Sequence, residues 1–260
     1  MTMEQNETEG ILETLQLAGR VIMENGGETY RVEETVCRMG RAFGLTEVES
    51  FAVPSGIFIT CKNAEGDVKT GIQRVRRGGI HLERVDEVNR VSRHTEHEGL
   101  SWREARTELQ EIAQRKGMPT WLRIPANSLC AAGFCVMFGG NLLDAGITGL
   151  VAALSESMTM TLGRFRMQSF ASLLLGSFFA TFIPLGLLRW LPGLHTEAMV
   201  AGALMPMLPG LAMTNAVQDT MRGDMISGVS HFGEAVLTAA LLAGGSMSGA
   251  YMIRQLMGGA

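Results

Sequence analysis

The residues best placed to do chemistry lie in one stretch, 203–224, ALMPMLPGLAMTNAVQDTMRGD. Pro206 and Pro209 interrupt an apolar helical pattern. A proline has no N–H to donate, and its ring crowds the carbonyl four residues back. The carbonyls of Gly202 and Met205 are therefore expected to lose their helical partners. In hydrocarbon, each unsatisfied backbone group costs several kcal/mol unless it faces protein or a watery cavity. Two prolines three residues apart, followed by Gly210, predict a broken helix, a device that often builds substrate sites in transporters. Beyond the break, Asn215 and Asp219 are four residues apart, as are Thr214 and Gln218, so each pair shares a helix face. Pro206, Pro209, Gly210, Thr214, Asn215 and Asp219 are the candidate substrate-binding and translocation residues. A kinked packing helix with a polar end is the plainer alternative.

Proton coupling needs a carboxyl group in a low-dielectric setting, where its pKa rises toward neutrality. Glu234, four residues after Ser230 and three after His231 in an apolar run, and Asp219 are the first candidates; Asp144 is a third. A carboxylate at bilayer depth costs at least about 2.5 kcal/mol on insertion scales and so needs a partner or water. Glu156 has the simpler option of pairing with Arg164 or Arg166, and Asp224 of pairing with Arg222. His94, Glu96, His97 and Glu98 carry metal-ligand chemistry, but they read as a polar loop before Gly99, with no spacing that fixes a geometry. The four cysteines form no CxxC pair. No metal or other cofactor is expected. No GxSxG, P-loop or HExxH motif supports a hydrolase or NTPase.

The elements that must hold these residues divide in two. Of 48 charged residues in the 260-residue chain, 37 fall in residues 1–123. That part reads as a soluble domain of ordinary size. Residues 124–260 read as a transmembrane domain, because 124–143, 167–188 and 198–218 contain no charge and are long enough to span. A net charge of −4 points to no nucleic-acid partner, and the polar, acidic N-terminus lacks the apolar core of a signal peptide.

In the first part, Ile11, Leu12, Leu15, Ala18, Ile22 and Met23 form a helical stripe that Asn25-Gly26-Gly27 closes. A second helix over 28–43 buries Val32, Val36, Met39 and Phe43. Residues 49–62 alternate and are rich in β-branched and aromatic types, so they read as a strand that Pro54-Ser55-Gly56 bends or bulges. A returning strand follows over 68–76. A helix over 80–94 presents Leu82, Val85, Val88 and Val91, and Ser101-Trp-Arg-Glu104 is a capping box for a helix over 102–116. The expected fold is a small α+β soluble domain followed by an α-helical membrane domain. About five transmembrane helices are placed near 124–141, 143–161, 167–190, 198–218 and 226–251.

Lys and Arg near the span ends favour a cytoplasmic N-terminal domain, with Arg115, Lys116, Arg123, Arg164, Arg166 and Arg222 inside and Arg189 and Arg254 outside. Glycine is dense in the spans, as close helix packing in lipid requires. Gly244-Gly245 and Ser248-Gly249 in the last span are expected to be free for another protein.

Three stretches together resemble the threonine/serine exporter family: Gly26-Gly27-Glu-Thr-Tyr-Arg-Val-Glu33-Glu-Thr35, Phe51-Ala-Val-Pro-Ser-Gly-Ile57, and Met205-Pro-Met-Leu-Pro-Gly-Leu-Ala-Met-Thr-Asn215 with Asp219 and Gly223-Asp224. The resemblance implies a multi-pass secondary transporter of the bacterial cytoplasmic (inner) membrane that exports threonine and serine. Some split members are associated with the dicarboxylate succinate instead. It also implies that this chain is the larger subunit of the split form, with a smaller membrane subunit as partner; a homo-oligomer is the alternative. A membrane-anchored enzyme and a scaffold are the competing classes, and neither needs irregular backbone at membrane depth.

Overall fold

The computed structural model describes residues 3–76, 78–115, 117–164 and 169–258. The chain is mostly helical and forms two compact units: residues 1–117 with 211–232, and residues 118–210 with 233–260.

The first unit opens with α1 (Met3–Glu24) and α2 (Thr29–Ala42). The predicted stripes are its core: Leu15, Ile22, Val32, Val36 and Met39 are fully buried, and Phe43 packs against them. Strands β1 (Glu47–Val53), β2 (Gly56–Lys62) and β3 (Val68–Arg74) form an antiparallel sheet in the order β1-β2-β3. Pro54-Ser55-Gly56 therefore does not bend one strand. Val53 pairs with Gly56, so Pro54 and Ser55 are the loop of a hairpin and the segment doubles back. Ile57, Ile59 and Cys61 point inward, and Phe51 and Phe58 face each other on the open side.

Helix α3 (Leu82–Glu98) lays Val85, Val88 and Val91 on this core, while Leu82 is exposed. His94–Glu98 is the last turn of α3 rather than a loop, closed by Gly99 in a left-handed conformation. Helix α4 (Trp102–Gln114) starts at the predicted capping box, with Ser101 and Glu104 each bonding the other's backbone N–H.

The second unit contains α5 (Thr120–Met137), α6 (Leu142–Arg164), α7 (Ser169–Leu187) and α8 (Thr196–Leu204), which pack side by side. A 3-10 turn (Met205–Met207), helix α9 (Gly210–Met221) and helix α10 (Met225–Leu256) follow, and α10 passes from the first unit into the second. Among the described residues two helices, α7 and α10, are long and apolar enough to cross a membrane; α8 and α9, bent by 56° at their break, make a third if the pair is one span. α5 and α6 carry polar groups such as Asn127, Ser128, Thr148 and Glu156 among their apolar ones.

Two expectations change here. Glu156 forms an ion pair with Arg123, a partner beyond the two expected. Arg166 and Lys116 lie outside the described residues, as does the side chain of Arg164. The small residues of the last span are also not all free. A side chain at Gly245 would collide with Ser177 and the Leu174 carbonyl of α7, and one at Gly249 would meet the Phe178 carbonyl oxygen at 2.6 Å. Thr181 and Ser246 share a 2.7 Å hydrogen bond across the same seam. This is the close approach that small residues permit between apolar helices.

Candidate functional site

The helix break forms as the two prolines dictate. α8 ends at Leu204, Pro206 sits in the 3-10 turn, and Leu208 is extended before α9 begins at Gly210. The Met205 carbonyl loses its α-helical partner but accepts from the Leu208 N–H at 3.2 Å, so the tighter turn satisfies it. Pro206 and Pro209 are half-buried and Gly210 is exposed. Thr214 is exposed as well.

Asn215 and Asp219 behave differently. Both are buried, at 1% and 0% exposure, on the face of α9 predicted from their spacing. Their surroundings are set by two turns. The first is the C-terminus of α9, where the Asp224 N–H bonds the Asp219 carbonyl at 2.9 Å and the Gly223 N–H bonds the Thr220 carbonyl at 3.1 Å. This is a Schellman motif, and its left-handed position is filled by Gly223 at φ 92°. The chain then reverses into α10, and Gly228 lets the two helices touch: a Cβ there would collide with Thr220 Oγ1 and reach 3.1 Å from the Ala216 carbonyl oxygen. Ser227 and His231 on α10 are thereby buried, and His231 Nε2 lies 3.5 Å from Asp219 Oδ2.

The second turn is Asn25-Gly26-Gly27, which closes α1 through a bond from the Gly27 N–H to the Ile22 carbonyl and delivers Thr29 to the start of α2. Thr29 is fully buried, and its Oγ1 lies 3.0 Å from Asp219 Oδ1 and 3.2 Å from Asp224 Oδ2. Next to it, the Arg222 guanidinium stacks on the Tyr30 ring, 3.4 Å from its centroid. That cation–π contact replaces the expected local pairing of Arg222 with Asp224. Arg31 binds Glu28 at 2.8 Å. Glu33 accepts from the Ala52 N–H at 2.9 Å and ties α2 to β1. The motif at 26–35 thus meets the motif at 214–224 within one compact unit.

Electrostatics around the cluster are mixed. Burial raises the Glu33 carboxyl above its ordinary value; the Ala52 N–H opposes this, and the charges of Asp224 and Asp219 reinforce it. Burial is the largest influence on Glu28 and acts to raise it, but the Arg31 hydrogen bond, a backbone N–H and the charges of Arg31 and Arg222 together leave the group below its ordinary value. Asn215 Nδ2, Gln218 Oε1 and Ser227 Oγ have no hydrogen-bond partner among the described residues. Unpaired buried polar atoms of this kind are costly, about 1–3 kcal/mol each.

The remaining candidates lie elsewhere. Asp144 is buried in the second unit, accepting from the Asn141 N–H at 2.9 Å and bonding His195 Nδ1 at 2.8 Å. Glu234 is exposed on α10 in the second unit. His94 and Glu98 pair with each other at 3.8 Å, and no metal-holding group of three or more ligands occurs among the described residues. Thr29, Ser227 and His231 are the site residues that spacing alone did not single out. Only Thr29 lies in a stretch with a signal, the Gly26–Thr35 motif, which gave no hint of what it packs against.

The sequence profile of the ThrE family, described as "Putative threonine/serine exporter", matches residues 13–253. Among curated proteins, the chain is 28% identical to the "Probable succinate transporter subunit YjjP" of Klebsiella aerogenes over 83% of each chain. It is also 28% identical to the Escherichia coli K12 protein of the same name, over 84% of this chain and 85% of that one. Against the "Probable threonine/serine exporter" of Mycobacterium tuberculosis it is 23% identical over 89% of this chain, but spans only 44% of that longer protein. No solved structure matches. A match that runs through both motifs of the buried cluster and nearly the whole chain places this protein in the threonine/serine exporter family.

Proposed function

We propose that the chain is one subunit of a secondary transporter that exports a small polar metabolite across the bacterial cytoplasmic membrane, driven by the proton gradient. The observation that carries this reading is the buried Asn215–Asp219 face just beyond a proline-broken helix. The Asn215 amide nitrogen, without a partner among the described residues, can take a polar solute, and the buried Asp219 carboxyl a proton. Five crossings accommodate the apolar segments: α5, α6, α7, the broken α8–α9 pair and α10. The Lys/Arg distribution supports a cytoplasmic side for the N-terminal α+β elements. Asp219 is the first titrating candidate and Glu234 the second.

Threonine and serine are the first substrates to test, after the family. Succinate is the second, because the relatives at 28% identity are named succinate transporter subunits. The word "subunit" in those names supports a separate membrane partner. The deciding experiment reconstitutes the chain in liposomes with and without the candidate partner. It then follows efflux of threonine, serine and succinate under an imposed proton gradient. Efflux of one substrate class is expected, only with both proteins and only with the gradient. Full efflux from the chain alone overturns the two-subunit reading, and efflux indifferent to the gradient overturns proton coupling.

A further inference from the structure

The contact of Thr29 with two carboxylates has a chemical consequence. A hydroxyl carries one proton and two lone pairs. Thr29 Oγ1 lies within hydrogen-bonding distance of Asp219 Oδ1 and of Asp224 Oδ2, at 3.0 and 3.2 Å. If both carboxylates are ionised, one O–H serves two acceptors and a lone pair of Thr29 faces an anion. If one carboxyl carries a proton, the set closes: the acid donates to Thr29, and Thr29 donates to the other carboxylate. The geometry is that of three oxygens built to share one extra proton. Beyond Asp219, its second oxygen lies 3.5 Å from buried His231 Nε2, an ion-pair contact rather than a hydrogen bond, so the next group in line sits on α10.

We propose that Asp224, Thr29, Asp219 and His231 form a proton relay, with the hydroxyl of Thr29 as its switching link. This deepens the proton-driven reading of the same site and rests on it. A proton arrives on half-buried Asp224. The Asp224 carboxylic acid gives its proton to Thr29 Oγ1 as Thr29 passes its own to Asp219 Oδ1. Thr29 stays neutral, Asp224 becomes the carboxylate and Asp219 the acid. Rotation of the Asp219 carboxyl turns the proton toward His231, and the pair holds it as acid and imidazole or as carboxylate and imidazolium. Once the proton leaves the Asp219–His231 pair, the Thr29 hydroxyl rotates back toward Asp219 and the line is ready for the next proton; no other reactant is consumed.

The charged groups around the relay are already engaged. On α2, Glu28 is held by Arg31 and Glu33 by the Ala52 N–H. Arg222, before α10, is spread over the Tyr30 ring. None of these holds the Thr29 hydroxyl, which leaves the two aspartates as its partners among the hydrogen bonds described.

The test uses the complete two-protein transporter in proteoliposomes and compares two readouts with radiolabelled threonine, serine or succinate, whichever the wild type carries. One is efflux driven by an imposed proton gradient. The other is substrate-for-substrate counterflow with no gradient, which needs binding and the conformational cycle but no net proton movement. Thr29→Val, close in shape but without the hydroxyl, is expected to lower gradient-driven efflux at least about tenfold while counterflow persists, in line with removal of one proton-transfer group. Thr29→Ser is expected to restore gradient-driven efflux. Asp224→Asn, at a half-buried position, is expected to repeat the Thr29→Val pattern and guards against a folding artefact. Wild-type gradient-driven efflux in Thr29→Val overturns the relay while leaving proton coupling intact. Loss of counterflow together with efflux in both variants also overturns it, since the contact is then structural. A wild type whose efflux ignores the gradient removes the proton-driven reading and the relay together.

Discussion

Two buried aspartates, each beside a histidine, are put to different use in the two units. Asp144 is closed in: two N–H groups, from Asn141 and His195, and the His195 ring all turn toward its oxygens, and the His195 side chain reaches 56% exposure. Both oxygens have a donor, and the histidine is wetted from outside. Asp219 is fully buried with a fully buried histidine, has one shared hydroxyl, and is surrounded by polar atoms without partners. An Asp–His pair is therefore not a functional signature by itself. What distinguishes a staple from a working site is whether the rest of the hydrogen-bond set is complete.

The largest expected effect breaks the comparison at its active end. Asp219→Asn keeps the shape and removes the ionisable group, and gradient-driven efflux should fall about a hundredfold or more, the lower range for losing an acid–base group. Glu234→Gln, measured in parallel, shows whether the exposed carboxyl shares the role; a comparable loss there moves the coupling site. Next, Asn215→Ala should cut export about tenfold, as removal of one buried polar contact worth 1–2 kcal/mol does, with membrane abundance unchanged. Export at the wild-type level from that variant would mean that the buried amide face lies off the pathway.

At the staple, Asp144→Asn should cost about 1–3 kcal/mol of stability, because an amide cannot accept from every donor that the carboxylate serves. The check is a lowered melting temperature in detergent with gradient dependence of efflux intact. The smallest effect concerns Glu33, whose carboxyl is raised by burial, against the Ala52 N–H, with Asp224 and Asp219 adding to the rise. A raised acid contributes its stability below the unfolded-state value, and that contribution is lost as pH climbs through the folded-state value. Glu33→Gln, which can still accept from the Ala52 N–H, should raise the melting temperature by about a degree or two at neutral pH. The gain should vanish near pH 4; a gain that is the same at both pH values would show that charge is not its cause.

Local rules made much of this legible. The helical stripes of α1 and α2, the Ser101–Glu104 capping box and the break at Pro206 and Pro209 are each written in residues close in sequence, and so is the shared face of Asn215 and Asp219. Failures came where a partner is distant or a turn lacks its usual residues. The β1–β2 hairpin turns on Pro54-Ser55, without the Asn-Gly pair that marks most two-residue loops, so two strands read as one. Glu156 pairs with Arg123 on α5, a partner that no spacing within its own helix reveals. Thr29 is part of a visible motif, but no periodicity says that a threonine at one helix start will face carboxylates 190 and 195 residues later.

The same separation governs how the molecule is made. Residues 1–117 share their compact unit with 211–232, and all of 118–210 is synthesised in between. At ribosomal speeds of 5–20 residues per second, the interval is on the order of ten seconds. During it, Thr29 has no aspartate to bond, and the Gly26 turn lacks Leu211, which later packs against it. The N-terminal segment is thus the first part translated and among the last completed. Ribosome-bound chains that end before residue 211 leave this face open, and a fragment cut at residue 123 is missing part of its own fold.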